Sequence, residues 1–367
     1  MDASATVHSG FVAQSARPST YQVLKMLYWT MRKHPETASH ILAVILGSLS
    51  KLAALQFGRL RRKHLPLVAL ALVEHMGDIV AAEPVARHAR RKFPDAKILW
   101  FVRKPYRVLP DAYPEVTKVI VVQCITEWLL VWSYGALDVV WDLHLSERRC
   151  PQCNVFFRKP GGAGKITFET YYDLGSLLDV QCMSAGIDKL QDGPVLTSSP
   201  DTIRSVDALA LPARFIVIHA KSNDSARDWP EAKWMDLTSH LRTLLNCYII
   251  EVGTEPRIIR SDGTNQRSLS GKLSVLETAE VIRRAELFIG IDSGPAHLAN
   301  AVGTPGVLLL GHYQQFQSYM PYSGAYASGL GATILRANGP VADLPIRDVI
   351  EAVTARLPPY GRQPARQ

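Results

Sequence analysis

The stretch LFIGIDSGPAHLANAVGTPGVLLLG, Leu287 to Gly311, decides the fold. LFIGI is a short apolar run, Asp292-Ser293-Gly294-Pro295 interrupts it, AHLANAV supplies one or two helical turns, and Gly303 stops the helix before GVLLL. That is one strand–helix–strand unit. Continuous apolar runs belong to buried parallel strands, and a polar, Gly-containing turn at a strand's carboxyl end is where open α/β sheets hold ligands. Pro295 suits the first helical turn, and the free N–H groups of Gly294 and its neighbours can face an anion such as a phosphate. The other reading of this turn makes Asp292 or Ser293 a simple helix cap and His297 a packing residue.

Upstream, the same rhythm repeats twice over. Strands are expected at Leu65–Val73, Lys97–Val102, Lys118–Val122 and Asp138–Leu143, then at Phe215–Ala220 and Tyr248–Val252. Helices fill the gaps, among them one from Asp78 to about Phe93, Pro230–Leu245 with Trp234, Leu237, Leu241 and Leu244 on one face, and Val275–Arg284. A linker composition around Gly193, Pro194, Ser198, Ser199 and Pro200 separates the two series. The fold class is therefore α/β with two Rossmann-like domains facing a cleft. The division is a basic helical extension over 1–64, an N-terminal domain over 65–190, a linker over 191–202, a C-terminal domain over 203–345, and a helix and tail over 346–367.

The chain has 367 residues, 47% of them apolar, and a formal charge of +8. Residues 1–64 carry nine basic side chains against Asp2 and Glu36, which is +7 of that total, so the folded domains are nearly neutral and nucleic acid is not an expected partner. The first 18 residues are small and polar. Helices are expected at Tyr21–Met31 and Thr37–Arg62, the second with Ile41, Ile45, Leu49 and Leu52 in a stripe and Ser48 and Lys51 off it. Gly47, Ser48, Ser50, Lys51 and Gln56 interrupt the run of about 18 apolar residues that crossing a bilayer requires. With Arg59, Arg61, Arg62 and Lys63 at its end, the helix is expected to lie on an anionic membrane surface or, alternatively, to pack on the protein's own core. No secretory signal is expected from the first residues, and five cysteines fit a reducing compartment.

Two further motifs are weak. Cys150-Pro-Gln-Cys153 has the spacing of half a zinc site that His144 and Cys182 would have to complete; otherwise the pair is two reduced surface thiols. Gly161-Gly-Ala-Gly-Lys165 lacks the preceding strand and following Ser or Thr of a phosphate loop and reads as a mobile loop near the cleft.

His75-Met76-Gly77-Asp78 after the first strand, Arg90-Arg-Lys-Phe-Pro-Asp-Ala96, Gly271-Lys-Leu-Ser274, Asp292-Ser-Gly-Pro-Ala-His-Leu-Ala299 and Gly303-Thr-Pro305 together resemble the heptosyltransferase-type glycosyltransferases of family nine. The similarity spans roughly residues 66–325 and omits the basic extension. It implies a GT-B fold and an inverting, metal-independent transfer that needs no cofactor. A nucleotide-sugar, ADP-linked heptose by analogy, would be donor to a lipopolysaccharide or other lipid-linked acceptor, at the cytoplasmic face of a bacterial inner membrane.

By that resemblance Asp78 is the general base, with His75 a second candidate because Glu74 and His75 depart from the small polar residues usual there. Arg227, and with lower rank Lys221 and Asn223, would meet the donor diphosphate. Ser293 and Gly294 would offer it backbone N–H groups, Asp292 would accept sugar hydroxyls, and His297 would add a polar contact. Leu273 would line the nucleobase pocket and Glu255 would hold the ribose. A nucleotide-sugar epimerase of the same fold and a non-catalytic scaffold of polysaccharide assembly remain as alternatives; a dinucleotide-dependent dehydrogenase is disfavoured because no G-x-G-x-x-G follows the first strand.

Overall fold

The apolar runs form parallel strands and the segments between them form helices, in two successive α/β domains. The computed structural model describes residues 17–61, 65–159, 166–243 and 245–357. Arg62 and Lys63 of the basic cluster, the Gly161–Lys165 run, Leu244, the first 16 residues and the tail from 358 lie outside the described residues.

The N-terminal part runs α1 (Thr20–Lys33), α2 (Ala38–Arg61), β1 (Leu67–Ala71), α3 (Met76–Ala81), α4 (Glu83–Lys92), β2 (Lys97–Arg103), α5 (Val108–Asp111), β3 (Lys118–Val122), α6 (Ile125–Ser133), β4 (Val139–Asp142), β5 (Glu147–Arg149), β6 (Phe156–Arg158) and α7 (Leu177–Ala185). The helix expected from Asp78 to Phe93 is two helices, because Pro84 has no N–H to continue the first and the chain steps aside at Ala82. The segment after β4 is not a bare loop either: β5 and β6 pair antiparallel.

The sheet is parallel in the order β3-β2-β1-β4. Because side chains alternate across a strand, Val68, Leu70, Ile98 and Trp100 bury against α3, α4 and α7, while Ala69, Ala71, Leu99 and Phe101 bury on the opposite face beneath α6. The N-terminal extension joins that second layer. Val23 and Leu27 of α1 and Ile41, Val44 and Leu55 of α2 belong to the same core as Trp128 and Val131 of α6. The expected stripe of α2 is thereby corrected: Ser48 is buried and Leu49 is exposed. Ser48 turns inward because its hydroxyl meets the Tyr134 hydroxyl at 2.9 Å, and Lys51 follows it to the buried Glu127 carboxylate at 2.6 Å.

The C-terminal domain comprises α8 (Pro200–Asp207), β7 (Ile216–His219), α9 (Glu231–Thr243), β8 (Ile249–Glu251), β9 (Gln266–Ser268), α10 (Val275–Arg284), β10 (Leu287–Ile291), α11 (Gly294–Val302), β11 (Gly306–Leu310), α12 (Gly324–Ala327), β12 (Ala332–Arg336) and α13 (Ile346–Arg356). Its six strands lie in the order β12-β11-β10-β7-β8-β9. From the other edge that is the dinucleotide-fold order, third-second-first-fourth-fifth-sixth, with its crevice between β7 and β10. The helix α13 packs on α9 and β11, so it completes this domain. The two domains face each other across a cleft, the GT-B arrangement.

Candidate active site

Each sheet reverses its strand order at one place, between β1 and β4 in the first domain and between β7 and β10 in the second. The loops leaving those strands line a common cavity of about 590 Å³, with His75, Gly77 and Asp78 from one side and Lys221, Arg227, Asp292, Ser293, Gly294 and His297 from the other. A second cavity, of about 900 Å³, lies between α1 and the β5–β6 hairpin and contains none of the expected site residues.

The two sides touch where α3 meets α11. Each helix carries a glycine in its first turn, Gly77 and Gly294, and each glycine admits a side chain of the other helix. A Cβ on Gly77 would stand 2.7 Å from His297 Cδ2, and one on Gly294 would stand 2.0 Å from Met76 Cε.

Asp78 occupies the third position of α3. It does not cap the helix, whose N-cap is His75, and among the described residues its carboxylate receives no hydrogen bond. Its position is fixed through the backbone, whose carbonyl accepts from Gln181 Nε2 at 2.9 Å. The loop before it is fixed from below. Buried Asp142, at the end of β4, accepts from His144 Nδ1 at 2.5 Å, and His144 Nε2 accepts from the Val73 N–H at 3.0 Å, which assigns the ring proton to Nδ1. Lys159 Nζ donates to the carbonyls of Asp142, His144 and Ser184 and stands 3.1 Å from Asp142 Oδ2 as an ion pair without hydrogen-bond alignment. Burial resists the Asp142 charge, but Lys159 and His144 prevail and hold its carboxyl at about 2. His75 lies on the rim, largely exposed, with Glu74 at 3.9 Å, and Glu74 is also met by Arg103 at 3.3 Å.

Across the cleft, Asp292 is buried and already engaged. Its Oδ2 accepts from Arg227 Nη1 at 3.3 Å and Tyr319 at 3.0 Å, and its Oδ1 accepts from Tyr322 at 3.3 Å. The carboxylate therefore holds Arg227 in place while still lining the cavity, where it was expected to accept sugar hydroxyls. Burial works against the Arg227 charge, yet Asp292 and the facing tyrosines hold its pKa above the ordinary value. The guanidinium lies over the Tyr313 ring at 4.9 Å, and its Nε is buried without a partner among the described residues. A buried donor left unpaired costs about 1–3 kcal/mol, which an incoming anion would recover.

Ser293 is the N-cap of α11 by backbone conformation, but its hydroxyl turns back to the Ile291 carbonyl at 3.2 Å. The N–H groups of Ala296 and His297 return to the Ser293 carbonyl at 3.1 and 3.4 Å and Pro295 has none, so among the described residues the backbone N–H groups of Ser293 and Gly294, which line the cavity, are the ones left for a ligand. His297 is enclosed between Gly77 and Tyr322, 4.9 Å from the latter's ring, and burial lowers its pKa against the pull of Asp292 and Asp78. Lys221 is paired to Asp228, which also fastens Ser222. Leu273 lines the cavity with Thr254 and Val275.

Glu255 does not line it. That carboxylate, expected at the ribose, is exposed and paired with Arg257, next to Gly253 and Thr254, which do line the cavity. The tyrosines 313, 319 and 322 that organise Asp292 and Arg227 were missed in the sequence, although four tyrosines between 313 and 326 are a legible signal. The expected partners of Cys150 and Cys153 are corrected too. His144 is committed to Asp142, Cys182 belongs to the core on the other face of the sheet, and both thiols are buried, not on the surface.

Comparison with known proteins agrees with this architecture. Residues 184–326 match the model of glycosyltransferase family 9 (heptosyltransferase). Lipopolysaccharide heptosyltransferase 1 of Salmonella typhimurium is 21% identical over 285 residues, covering 66% of this chain and 88% of the relative. Among solved structures, the family 9 glycosyl transferase of Veillonella parvula superposes with a TM-score of 0.61 at 15% identity over 79% of this chain and 97% of its own. The Escherichia coli ADP-heptose lps heptosyltransferase II does so with 0.57 at 15% identity, over 79% and 98%.

Proposed function

We propose that this chain, a heptosyltransferase-like glycosyltransferase of the family-nine type, transfers a sugar from a nucleoside diphosphate to a lipopolysaccharide or other lipid-linked acceptor with inversion and without a metal. The observation that carries the reading is a free carboxylate and an unpaired, buried guanidinium edge in one interdomain cavity, Asp78 on one wall and Arg227 on the other.

The donor diphosphate rests on the backbone N–H groups of Ser293 and Gly294, with Arg227 beside it. Its nucleoside extends toward Thr254, Leu273 and Val275. The acceptor hydroxyl approaches from the N-terminal domain, where Asp78 takes its proton as the oxygen attacks the anomeric carbon. The bond from that carbon to the diphosphate breaks on the opposite face. The departing negative charge is met by Arg227 and the positive end of the α11 dipole, which supports a transfer that needs no metal. ADP-heptose is the donor proposed first, because the Escherichia coli relative is named for it.

The extension supports a membrane-bound acceptor at the cytoplasmic face of the inner membrane. With one side of α2 packed on α6, the other side presents Leu42, Leu46, Leu49 and Phe57 to solvent, and α1 presents Tyr21, Leu24, Tyr28 and Trp29. Pro35–Arg59 is long and apolar enough to cross a bilayer, with a mean hydropathy of 1.7. Lateral packing on α6 and the Lys51–Glu127 pair favour a helix lying in the interface.

Calorimetric titration with ADP-, GDP-, UDP- and CMP-linked sugars, followed by product analysis with and without lipid-linked acceptor, tests the reading. One nucleotide class should bind, and Arg227→Met should weaken it roughly 10- to 100-fold, the loss of a charged hydrogen bond. No binding of any nucleotide diphosphate sugar refutes the reading. Turnover of donor alone to an epimer replaces transfer by epimerisation.

A further inference from the structure

Cys150 and Cys153 close the β5–β6 hairpin, and the turn between them carries a feature of metal knuckles. The backbone N–H of Cys153 points at Cys150 Sγ at 3.4 Å, and Asn154 turns the chain back with φ 55°. Such N–H···S contacts stabilise a thiolate, the form that binds a metal.

A third thiol comes from the sheet's other end of the layer. Cys124 is the N-cap residue of α6, and its Sγ lies 3.6 Å from Cys153 Sγ. All three thiols are buried and interact with one another. A fourth group arrives from the N-terminal extension: His40, in the first turn of α2, has a buried Nε2 without a partner among the described residues. One ligand atom each from His40, Cys124 and Cys153 fall within 4.8 Å of one another.

We propose that His40, Cys124, Cys150 and Cys153 form a structural zinc site. A tetrahedral Cys₃His zinc places its ligand atoms roughly 3.5–3.8 Å apart, and the 3.6 Å between Cys124 and Cys153 already meets that spacing. Three soft sulfurs and one imidazole are the donor set of closed structural zinc sites. The site takes ligands from α2, from the start of α6 and from the hairpin, so the ion staples the N-terminal extension to the acceptor-side domain. It stands apart from the cleft and takes no part in transfer.

The full-length chain, expressed with zinc in the medium and purified without chelator or histidine tag, should carry about one zinc per chain by elemental mass spectrometry. Cys124→Ser and Cys153→Ser should each drop below roughly a tenth of that, His40→Ala should release zinc to a weak chelator, and Cys182→Ser and Cys247→Ser should retain it. If the ligand variants fail to fold, the wild-type chain still decides. Cobalt exchanged into it should give the thiolate-to-metal charge-transfer bands of a tetrahedral sulfur site. A folded wild-type chain without zinc, iron in its place, zinc retained by Cys124→Ser and Cys153→Ser, or a Cys124–Cys153 disulfide found by non-reducing peptide mapping would each overturn the proposal.

Discussion

Asp142→Asn removes one charge from the network beneath the loop that bears Asp78. The Asp142 and Lys159 side chains are 0% and 2% exposed, so no water can replace the lost carboxylate. Three carbonyls still surround Lys159 Nζ, but none carries a full opposing charge. The Asn amide must also turn its oxygen toward His144 Nδ1–H, which leaves its NH₂ group facing an ammonium. Burial already holds the Lys159 pKa below its ordinary value despite its partner, so the intact pair gives little net stability. Breaking it is another matter: a buried charge left uncompensated costs about 3–5 kcal/mol.

At roughly 2–4 °C per kcal/mol for a domain of this size, the midpoint of thermal unfolding should fall by roughly 10 °C. Differential scanning calorimetry at neutral pH reads this directly. The double variant Asp142→Asn with Lys159→Met, which removes both charges, should recover most of the loss. Acid makes the same perturbation. The Asp142 carboxyl is depressed from 3.8 to about 2, so its contribution is complete above the former value and is lost as pH falls through the latter. A midpoint change under about 2 °C in the single variant, or a double variant no more stable than the single, would refute the reasoning.

Asp78→Asn should lower kcat by roughly 100-fold or more while leaving the nucleotide dissociation constant within about twofold, since a general base acts on the acceptor side; unchanged turnover would sink the assignment. Leu46→Glu combined with Leu49→Glu should abolish flotation with anionic liposomes and leave transfer to a soluble acceptor analogue intact, because both side chains point away from the core. Flotation that persists would count against the interfacial helix.

The strand–turn–helix–strand unit at Leu287–Gly311 was legible residue by residue, because a buried parallel strand needs an unbroken apolar run and Gly303, with φ 76°, ends its helix in the left-handed conformation that glycine adopts without strain. The same logic located the cleft, since both sheets place their switch points at loops already rich in charge. What periodicity could not supply was pairing. Ser48 and Lys51 look misplaced on α2 until Tyr134 and Glu127 are known to face them. Asp292 looks free until Tyr319 and Tyr322 arrive from a stretch with no regular pattern. Cys153 finds Cys124 and His40 at sequence distances that no spacing rule covers.

The crossing of α3 and α11 has a mechanical meaning. Gly77 receives His297 and Gly294 receives Met76, so the starts of the two helices are keyed to each other like the halves of a hinge pin. The contact lies between Asp78 and the start of α11, so it sets the gap between the proton acceptor and the diphosphate cradle. A methyl group added to Gly77 would press on the buried His297 ring and act as a shim, spreading the two walls at the one point where ångströms govern attack, whereas at Gly294 the tip of Met76 can move aside.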